Sequence, residues 1–482
     1  MKLSELRIGI IHSLIGKNDG VSIVIDQSVN AMSKHLGIDL GHFFFLGAHS
    51  SPRFNAQTND VFWHKSEVHK YIINHFNDND AADLDDLIHE NATYAKEVIK
   101  EWVEENDIDL IIAHNTSHPY NFITAVGLGY YIEELRAQGI IWPKLMVWWH
   151  DSYFERSIFA HPNKVIQKYL SYMPGTYVDA IAFINNQQIE LGKKVFAQYN
   201  IDKLDKFFEY RTTVVPNTSE IPWEWEHLNP DSETLICPPQ DNYNNSFMKD
   251  IGLEQQVKAK GFTMADTKIL LQHTRVVPRK KIESAIDLAF ALERKFKKSG
   301  NKKCIALIVS GHSGDEQNQY LNNLYIHYTE LCKKYPDSAV VLIFGEHNIL
   351  SHRDIIVEKK FYNFAEVPSI VAAYGGLGTY FSEVEGFGNN LLEMISFALP
   401  AVINKYEVYK EEIEPLGFEL PAIDNGEVNQ DLVDASYRLL TDIPYRNKVV
   451  MHNLKVLKEN LDHKIIAEKL KPIMLNMYTR QL

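Results

Sequence analysis

Cysteine is scarce in this chain: three residues, Cys237, Cys304 and Cys332, among 482. They are scattered and show no C-x-x-C spacing, which argues against a disulfide framework and against a zinc site. Cys304 and Cys332 lie in apolar stretches and are expected as buried thiols. Basic charge is also short. Lys and Arg total 49 against 63 Asp and Glu, a formal net charge of −14. The broad basic face of a nucleic-acid binder is therefore not expected. Part of the acid excess sits in NDNDAADLDDLIHE at 77–90, expected as a solvated loop and helix start. No D-x-D convincingly marks a metal site. No apolar run reaches the roughly 18 residues of a membrane-spanning helix. The opening MKLSELRIGIIHSLIG has neither a long apolar h-region nor a small-residue cleavage site, so the expected location is the cytoplasm. No basic amphipathic helix stands out in the N-terminal half, so peripheral membrane contact is not indicated. The composition leaves a homo-oligomer open.

What the chain does hold is material for two packed cores. Hydrophobic residues make up 45% and aromatics 11%, and the length suits two domains of about 200 residues each. Short apolar runs recur: 6–13, 42–48, 108–115, 144–151, 179–186 and 212–219, then 267–275, 302–311, 339–346, 378–384 and 400–405. Near-continuous runs of this length suit parallel strands buried on both faces. Helical patterns lie between them, for example GVSIVIDQSVNAMSKHL at 20–36 and KKIESAIDLAFALERKFKKSG at 280–300. The expected fold class is therefore α/β, with two doubly wound αβα domains in series. The segment 219–262 is polar, Pro-rich and aperiodic and is expected as a linker or insertion. Two such domains facing each other leave a cleft at the carboxyl ends of their strands, where open parallel sheets bind ligands.

Four strand exits carry chemistry. In IHSLIGKNDGVS (11–22), Gly16, Asn18, Asp19 and Gly20 precede a helix, whose first amides can face an anion. The loop is neither G-x-G-x-x-G nor G-x-x-x-x-G-K-[ST], and an ordinary βα turn explains it equally well. In VWWHDSYFERS (147–157), His150 follows an apolar strand and can hydrogen-bond a hydroxyl or stabilise developing charge. A satisfied structural histidine is the competing explanation, and it is preferred for the similar exit HNTSHPYN (114–121). In QHTRVVPRKKIES (272–284), Arg275 and Lys280 converge on a strand exit, a planar fork and a point charge suited to a diphosphate. In SEVEGFGNNLLEMISFALP (382–400), Glu385 and Glu393 flank a glycine loop and a helix start. The glycines allow close backbone approach and the helix end favours phosphate. Two carboxylates could also be a glycosidase acid/base pair, but a phosphate-binding loop between them argues against it.

Together the four exits resemble the retaining, GT-B fold glycosyltransferases of family 4, which use sugar nucleotides. The likeness is clearest over 267–415. It rests on Glu385 and Glu393 with EGFG between them, on Arg275 with Lys280, on VVPNTSE (214–220) and on YNFAEVPSIVAAYGG (362–376). It implies an N-terminal acceptor-side Rossmann-like domain at 1–218, joined by a returning helix at 455–482, and a donor-nucleotide domain at 263–454. It also implies roles. Arg275 and Lys280 would bind the donor diphosphate, Glu385 the sugar hydroxyls and Glu393 the ribose. Gly386, Phe387 and Gly388 would lie beside the sugar, the amides of Asn390 and Leu391 against the phosphates, His150 against the donor sugar, and Gly20 at the phosphate and acceptor region. The implied reaction moves a hexose from a nucleoside-diphosphate sugar, UDP- or GDP-linked, to a hydroxyl of a sugar, polyol or glycan, with no cofactor or metal. An epimerase or phosphorylase on the same fold, or a non-catalytic sugar-nucleotide-binding subunit, are the alternatives. The chain departs from the family at Asp19-Gly20, where Gly-Gly is common, and at Leu399, where glycine is common.

Overall fold

The computed structural model describes residues 2–17, 19–77, 81–199, 203–312 and 318–479. Asn18, part of the acidic stretch at 77–90, and the last three residues of the expected C-terminal helix lie outside the described residues. Contacts divide the chain into two compact units, 1–218 with 463–482, and 219–462.

The first unit is built on seven strands: β1 (Ile8–Ile11), β2 (Phe43–Gly47), β3 (Ala56–Thr58), β4 (Leu110–His114), β5 (Lys144–Trp149), β6 (Ala180–Phe183) and β7 (Thr212–Val214). They form one sheet in the order β3-β2-β1-β4-β5-β6-β7, with every neighbouring pair parallel. The apolar runs are continuous because both faces are covered. Successive side chains alternate between faces: Ile111 and Ala113 join one core with the helices Leu84–Glu105 and Phe122–Ala137, while Leu110 and Ile112 join the other with the helix Gly20–Leu36. The short β3 was not foreseen, since AQT offers no apolar run. The helix Lys464–Thr479 packs on the second of these cores through Ile466, Leu470, Ile473 and Met477. It starts later than the expected 455, because the preceding helix Ile443–Asn460 is packed within the other unit through Val450, Leu454 and Leu457.

The second unit repeats the order with six strands: β8 (Thr267–Gln272), β9 (Cys304–Val309), β10 (Val340–Phe344), β11 (Leu377–Tyr380), β12 (Ala401–Asn404) and β13 (Ala422–Ile423). The sheet runs β10-β9-β8-β11-β12-β13, again parallel throughout. In both sheets the order reverses beside the first strand, between β1 and β4 and between β8 and β11. Ligands of open α/β sheets bind outside the carboxyl ends at this point. Cys304 is buried on β9, as expected, whereas Cys332 is only half-buried.

Residues 219–262, expected as a linker or insertion, lie on the second unit. Trp225 and Ile236 are buried against Ala398, Val450 and Leu454. The Trp223 indole donates to the Ser396 carbonyl at 2.8 Å. Asn447 serves the irregular backbone from both sides, accepting from the Ile236 amide at 3.0 Å and donating to the Ser232 and Thr234 carbonyls at 2.9 Å. A side-chain amide thus supplies the partners that the irregular stretch at 232–236 lacks, whereas Phe247–Asp250 and Leu253–Ala259 of the same segment are helical. A small three-stranded sheet at Ile349–Leu350, Asp354–Ile356 and Lys359–Asn363 was likewise not foreseen. Among the described residues no helix is long and apolar enough to cross a membrane.

Candidate active site

The exits of β8 and β11 meet at the reversal point of the second sheet. Past β8 the chain reads His273, Thr274, Arg275 and then a short turn, Pro278–Lys280, that leads into the helix Ile282–Lys298. Gly311, past β9, lies so close to the Thr274 carbonyl that a Cβ there would collide with it. Past β11 comes the loop Phe381–Gly388 and the helix Asn389–Ser396. Gly388 opens that helix at φ +127, and a Cβ there would strike the Tyr406 hydroxyl. That hydroxyl donates to the Phe387 carbonyl at 2.6 Å and pins the loop.

Glu385 is where the two exits join. One carboxylate oxygen takes the Lys280 ammonium and the other the Arg279 guanidinium, the latter at 2.9 Å. The Lys280 and Glu385 side chains are 7% and 9% exposed, so this is a buried ion pair with a half-exposed third member. Burial alone would raise the Glu385 pKa, but Lys280 and Arg279 outweigh it and hold the carboxyl below its ordinary value. Burial also pulls the Lys280 ammonium below the usual lysine value, opposed by Glu385. The carboxylate has two cations and the lysine one anion, so the charged pair is the stable form near neutrality. The Lys280 ammonium also sits 5.3 Å from the centre of the buried Tyr380 ring. Arg275 is exposed, near enough for its charge to lower the Lys280 pKa further. Among the described residues its guanidinium makes no hydrogen bond or ion pair.

Glu393 stands on the second turn of the helix Asn389–Ser396, half-buried, with Oε2 at 3.0 Å from His273 Nε2. Asn390 donates its side-chain amide to the His273 carbonyl at 2.6 Å. Two expectations need correction. The Leu391 amide already donates to the Gly388 carbonyl at 3.0 Å, closing the first helical turn. The Phe387 ring is buried in the core with Tyr380 and Tyr406, because the loop needs an apolar anchor. Only its backbone faces the loop.

The first unit places different chemistry at the same point of its sheet. His12 follows β1, His114 ends β4 and His150 follows β5. His114 Nδ1 and His150 Nε2 are 3.0 Å apart, and both rings stack with Trp148. His114, expected to be structural, is thus the direct partner of the candidate His150. Burial and the neighbouring His12 push the His150 pKa down to about 3. Burial and His150 lower that of His114 well below the ordinary range. Burial likewise lowers His64, His69 and His118, each to about 4. Ser13 Oγ lies 2.8 Å from His64 Nδ1. These are neutral hydrogen-bonding rings. Asp19 caps the helix Gly20–Leu36, accepting from the Val21 and Ser22 amides at 3.1 Å each. Two of the amides expected to face an anion there are therefore occupied by the protein's own carboxylate. Gly20 is exposed, with open space where a Cβ would stand.

Arg279, His273 and Ser310 were not singled out from the sequence. Arg279 adjoins Lys280 in a visibly basic run, a signal that was available. His273 and Ser310 carry none, because their partners lie 120 and 37 residues away.

The chain resembles known proteins over most of its length. It is 25% identical over 439 residues to the mannosylglucosylglycerate synthase of Petrotoga mobilis, covering 87% of this chain and 86% of that one. It is 31% identical over 216 residues to the mannosylglucosylglycerate synthase of Thermotoga maritima, covering 40% and 45%. Among solved structures, Anabaena HepE in complex with UDP and glucose superposes with a TM-score of 0.57 at 13% identity, covering 98% of this chain and 100% of that one. That likeness concerns the fold. No protein-family model matches the chain. The fold is GT-B, with two Rossmann-like domains, and the chain is a glycosyltransferase.

Proposed function

We propose that the enzyme moves a hexose from a nucleoside-diphosphate sugar to a hydroxyl acceptor with retained anomeric configuration, as family 4 enzymes do. The observation that carries this is the charge cluster at the exits of β8 and β11. Arg275 is exposed, and Lys280 is buried and aimed by Glu385. Arg275 and Lys280 would hold the donor diphosphate and offset the charge it gains on leaving. Retention through a covalent intermediate would need a free carboxylate nucleophile. Glu385 has both oxygens held by cations and a lowered pKa, which suits it poorly to act as nucleophile or base. This favours a front-face route, in which the leaving diphosphate takes the acceptor proton. The two cations supply the charge that a metal would otherwise bring, so the route needs no metal. Glu385 would keep Lys280 in place and accept from a sugar hydroxyl. Glu393 would accept from the ribose, the amide of Asn390 and the backbone of Gly386, Phe387 and Gly388 would line the donor, and His150 and Gly20 would serve the sugar and acceptor.

The acceptor falls in the class of sugars, polyols and glycans. The name shared by the two curated relatives makes a mannosyl donor and a glucosylglycerate acceptor the first pair to try. A thermal-shift screen against UDP, GDP and their sugars is the first test, because a ligand that binds the folded state raises its stability by mass action. One nucleotide series should stabilise the protein, and the matching sugar should be consumed only when an acceptor is present. No shift with any nucleoside diphosphate would sink the proposal, and donor conversion without acceptor would replace it with an epimerase.

A further inference from the structure

His273 is fully buried at the end of β8, and both ring nitrogens are engaged. Nε2 lies 3.0 Å from Glu393 Oε2 and Nδ1 lies 2.8 Å from Ser310 Oγ. The ring stacks on Phe364 with centroids 4.0 Å apart and planes 17° apart. Its own carbonyl accepts from Asn390, one turn before Glu393 on the same helix. The imidazole is therefore clamped by its face, by its backbone and by both nitrogens.

The chemistry of the partners sets the tautomer. An ionised carboxylate only accepts, so Nε2 must carry a proton. The Ser310 hydroxyl can donate to Nδ1, and the neutral Nε2–H form then satisfies all three groups. A glutamate on a helix otherwise samples several rotamers, and freezing them on binding costs conformational entropy. Holding Oε2 fixes the plane of the carboxylate in advance. Among the described residues, Oε1 and the second lone pair of Oε2 remain to accept hydrogen bonds, an arrangement that matches two adjacent hydroxyls.

We propose that His273, oriented by Ser310, is a positioning residue that presets the Glu393 carboxylate for the 2′- and 3′-hydroxyls of the nucleotide ribose. The proposal rests on the role given to Glu393 above and adds residues to it. It places recognition of ribose over deoxyribose in a relay, Ser310 to His273 to Glu393, that joins the exits of β8 and β9 to the donor helix.

The test is isothermal titration of the full chain with GDP and the deoxynucleotide 2′,3′-dideoxy-GDP, and with UDP and 2′,3′-dideoxy-UDP, carrying forward the pair that binds. A hydrogen bond to a charged acceptor predicts a ribose preference of about tenfold to about a hundredfold in the wild type. Glu393→Gln should weaken the ribonucleotide and leave the deoxynucleotide nearly unchanged. His273→Phe, which keeps an aromatic ring on Phe364 but no donor, should bring the two ligands within about threefold of each other. His273→Gln retains an N–H donor and should keep most of the preference, and Ser310→Ala should fall between the two. Equal deoxynucleotide affinity in every variant separates lost positioning from a damaged fold. Should the Phe variant not fold, the Ser310→Ala and His273→Gln pair decides the matter by itself. If Glu393→Gln abolishes the preference while Ser310→Ala and the His273 variants keep it in full, the relay is wrong and the ribose role of Glu393 stands. If Glu393→Gln also keeps the preference, both fall.

Discussion

The two sheets share a strand order and a reversal point, yet they fill that point with opposite chemistry. At the exits of β8 and β11 the second unit sets formal charges: Lys280 and Arg279 on Glu385, with Arg275 beside them. At the exits of β4 and β5 the first unit sets neutral rings, His114 and His150, and past β1 Asp19 is turned inward as a helix cap. The scaffold decides where side chains converge. The residue types decide whether the place suits a charged diphosphate or uncharged hydroxyls.

Breaking the charged half should have the largest effect. Lys280→Ala should lower turnover by about 10²–10³-fold, the scale of losing one electrostatic stabiliser. It should also destabilise the second unit by up to about 3 kcal/mol, since Glu385 stays buried after losing the more buried of its two cations. Arg275→Ala should lower turnover over the same range while changing stability by no more than about 0.5 kcal/mol, because its side chain is exposed. Steady-state kinetics with thermal unfolding of both variants checks the contrast. Full activity with normal donor affinity in Lys280→Ala would remove the lysine from the mechanism.

Acid should then separate the units. A histidine whose folded pKa is lowered is neutral when folded and protonated when unfolded, so the unfolded state takes up more protons and stability falls as pH falls. For His69 and His118 that loss begins near the ordinary value of 6.5 and runs to about 4, at up to about 1.4 kcal/mol per pH unit each. Glu385 works in another window. Its folded pKa is lowered, so its contribution is complete above 4.5 and is lost only below it. Between about pH 6.5 and about pH 5.5 His69 and His118 alone should cost the first unit about 2 kcal/mol, while the Lys280–Glu385 pair keeps its contribution to the second. Hydrogen exchange resolved on 110–114 and on 267–272 can follow the two separately. Simultaneous loss of protection would deny the histidines this role.

The smallest change sharpens the comparison at Asp19. Asp19→Ala should cost about 1 kcal/mol by denaturant unfolding, the usual cost of an N-cap. An unchanged midpoint would mean that the two amides find other partners at no expense.

The strands from Ile8–Ile11 to Ala401–Asn404 were legible wherever an apolar run was long enough to need cover on two faces. Ala56–Thr58 and the sheet at 349–363 were not, because short or polar strands owe their pairing to neighbours already in place. Legibility at the site divides along the same line. Arg275, Lys280, Glu385 and Glu393 could be singled out from spacing and residue type, as could His150. The burial of the Phe387 ring, the occupied Leu391 amide and the hold of His114 on His150 could not.

By itself the sequence determined an α/β fold with two parallel sheets, and that the titratable residues cluster in strand-exit loops. Continuous apolar runs and turn residues are local signals, and they suffice for that. Tertiary structure alone decided that Glu385 is bound to Lys280 and Arg279 more than a hundred residues away, that Glu393 leans on His273, and that 219–262 belongs to the second unit. The physical reason is that pairing energy and burial depend on distance in space, and a strand crossover brings together groups whose separation along the chain carries no trace of it.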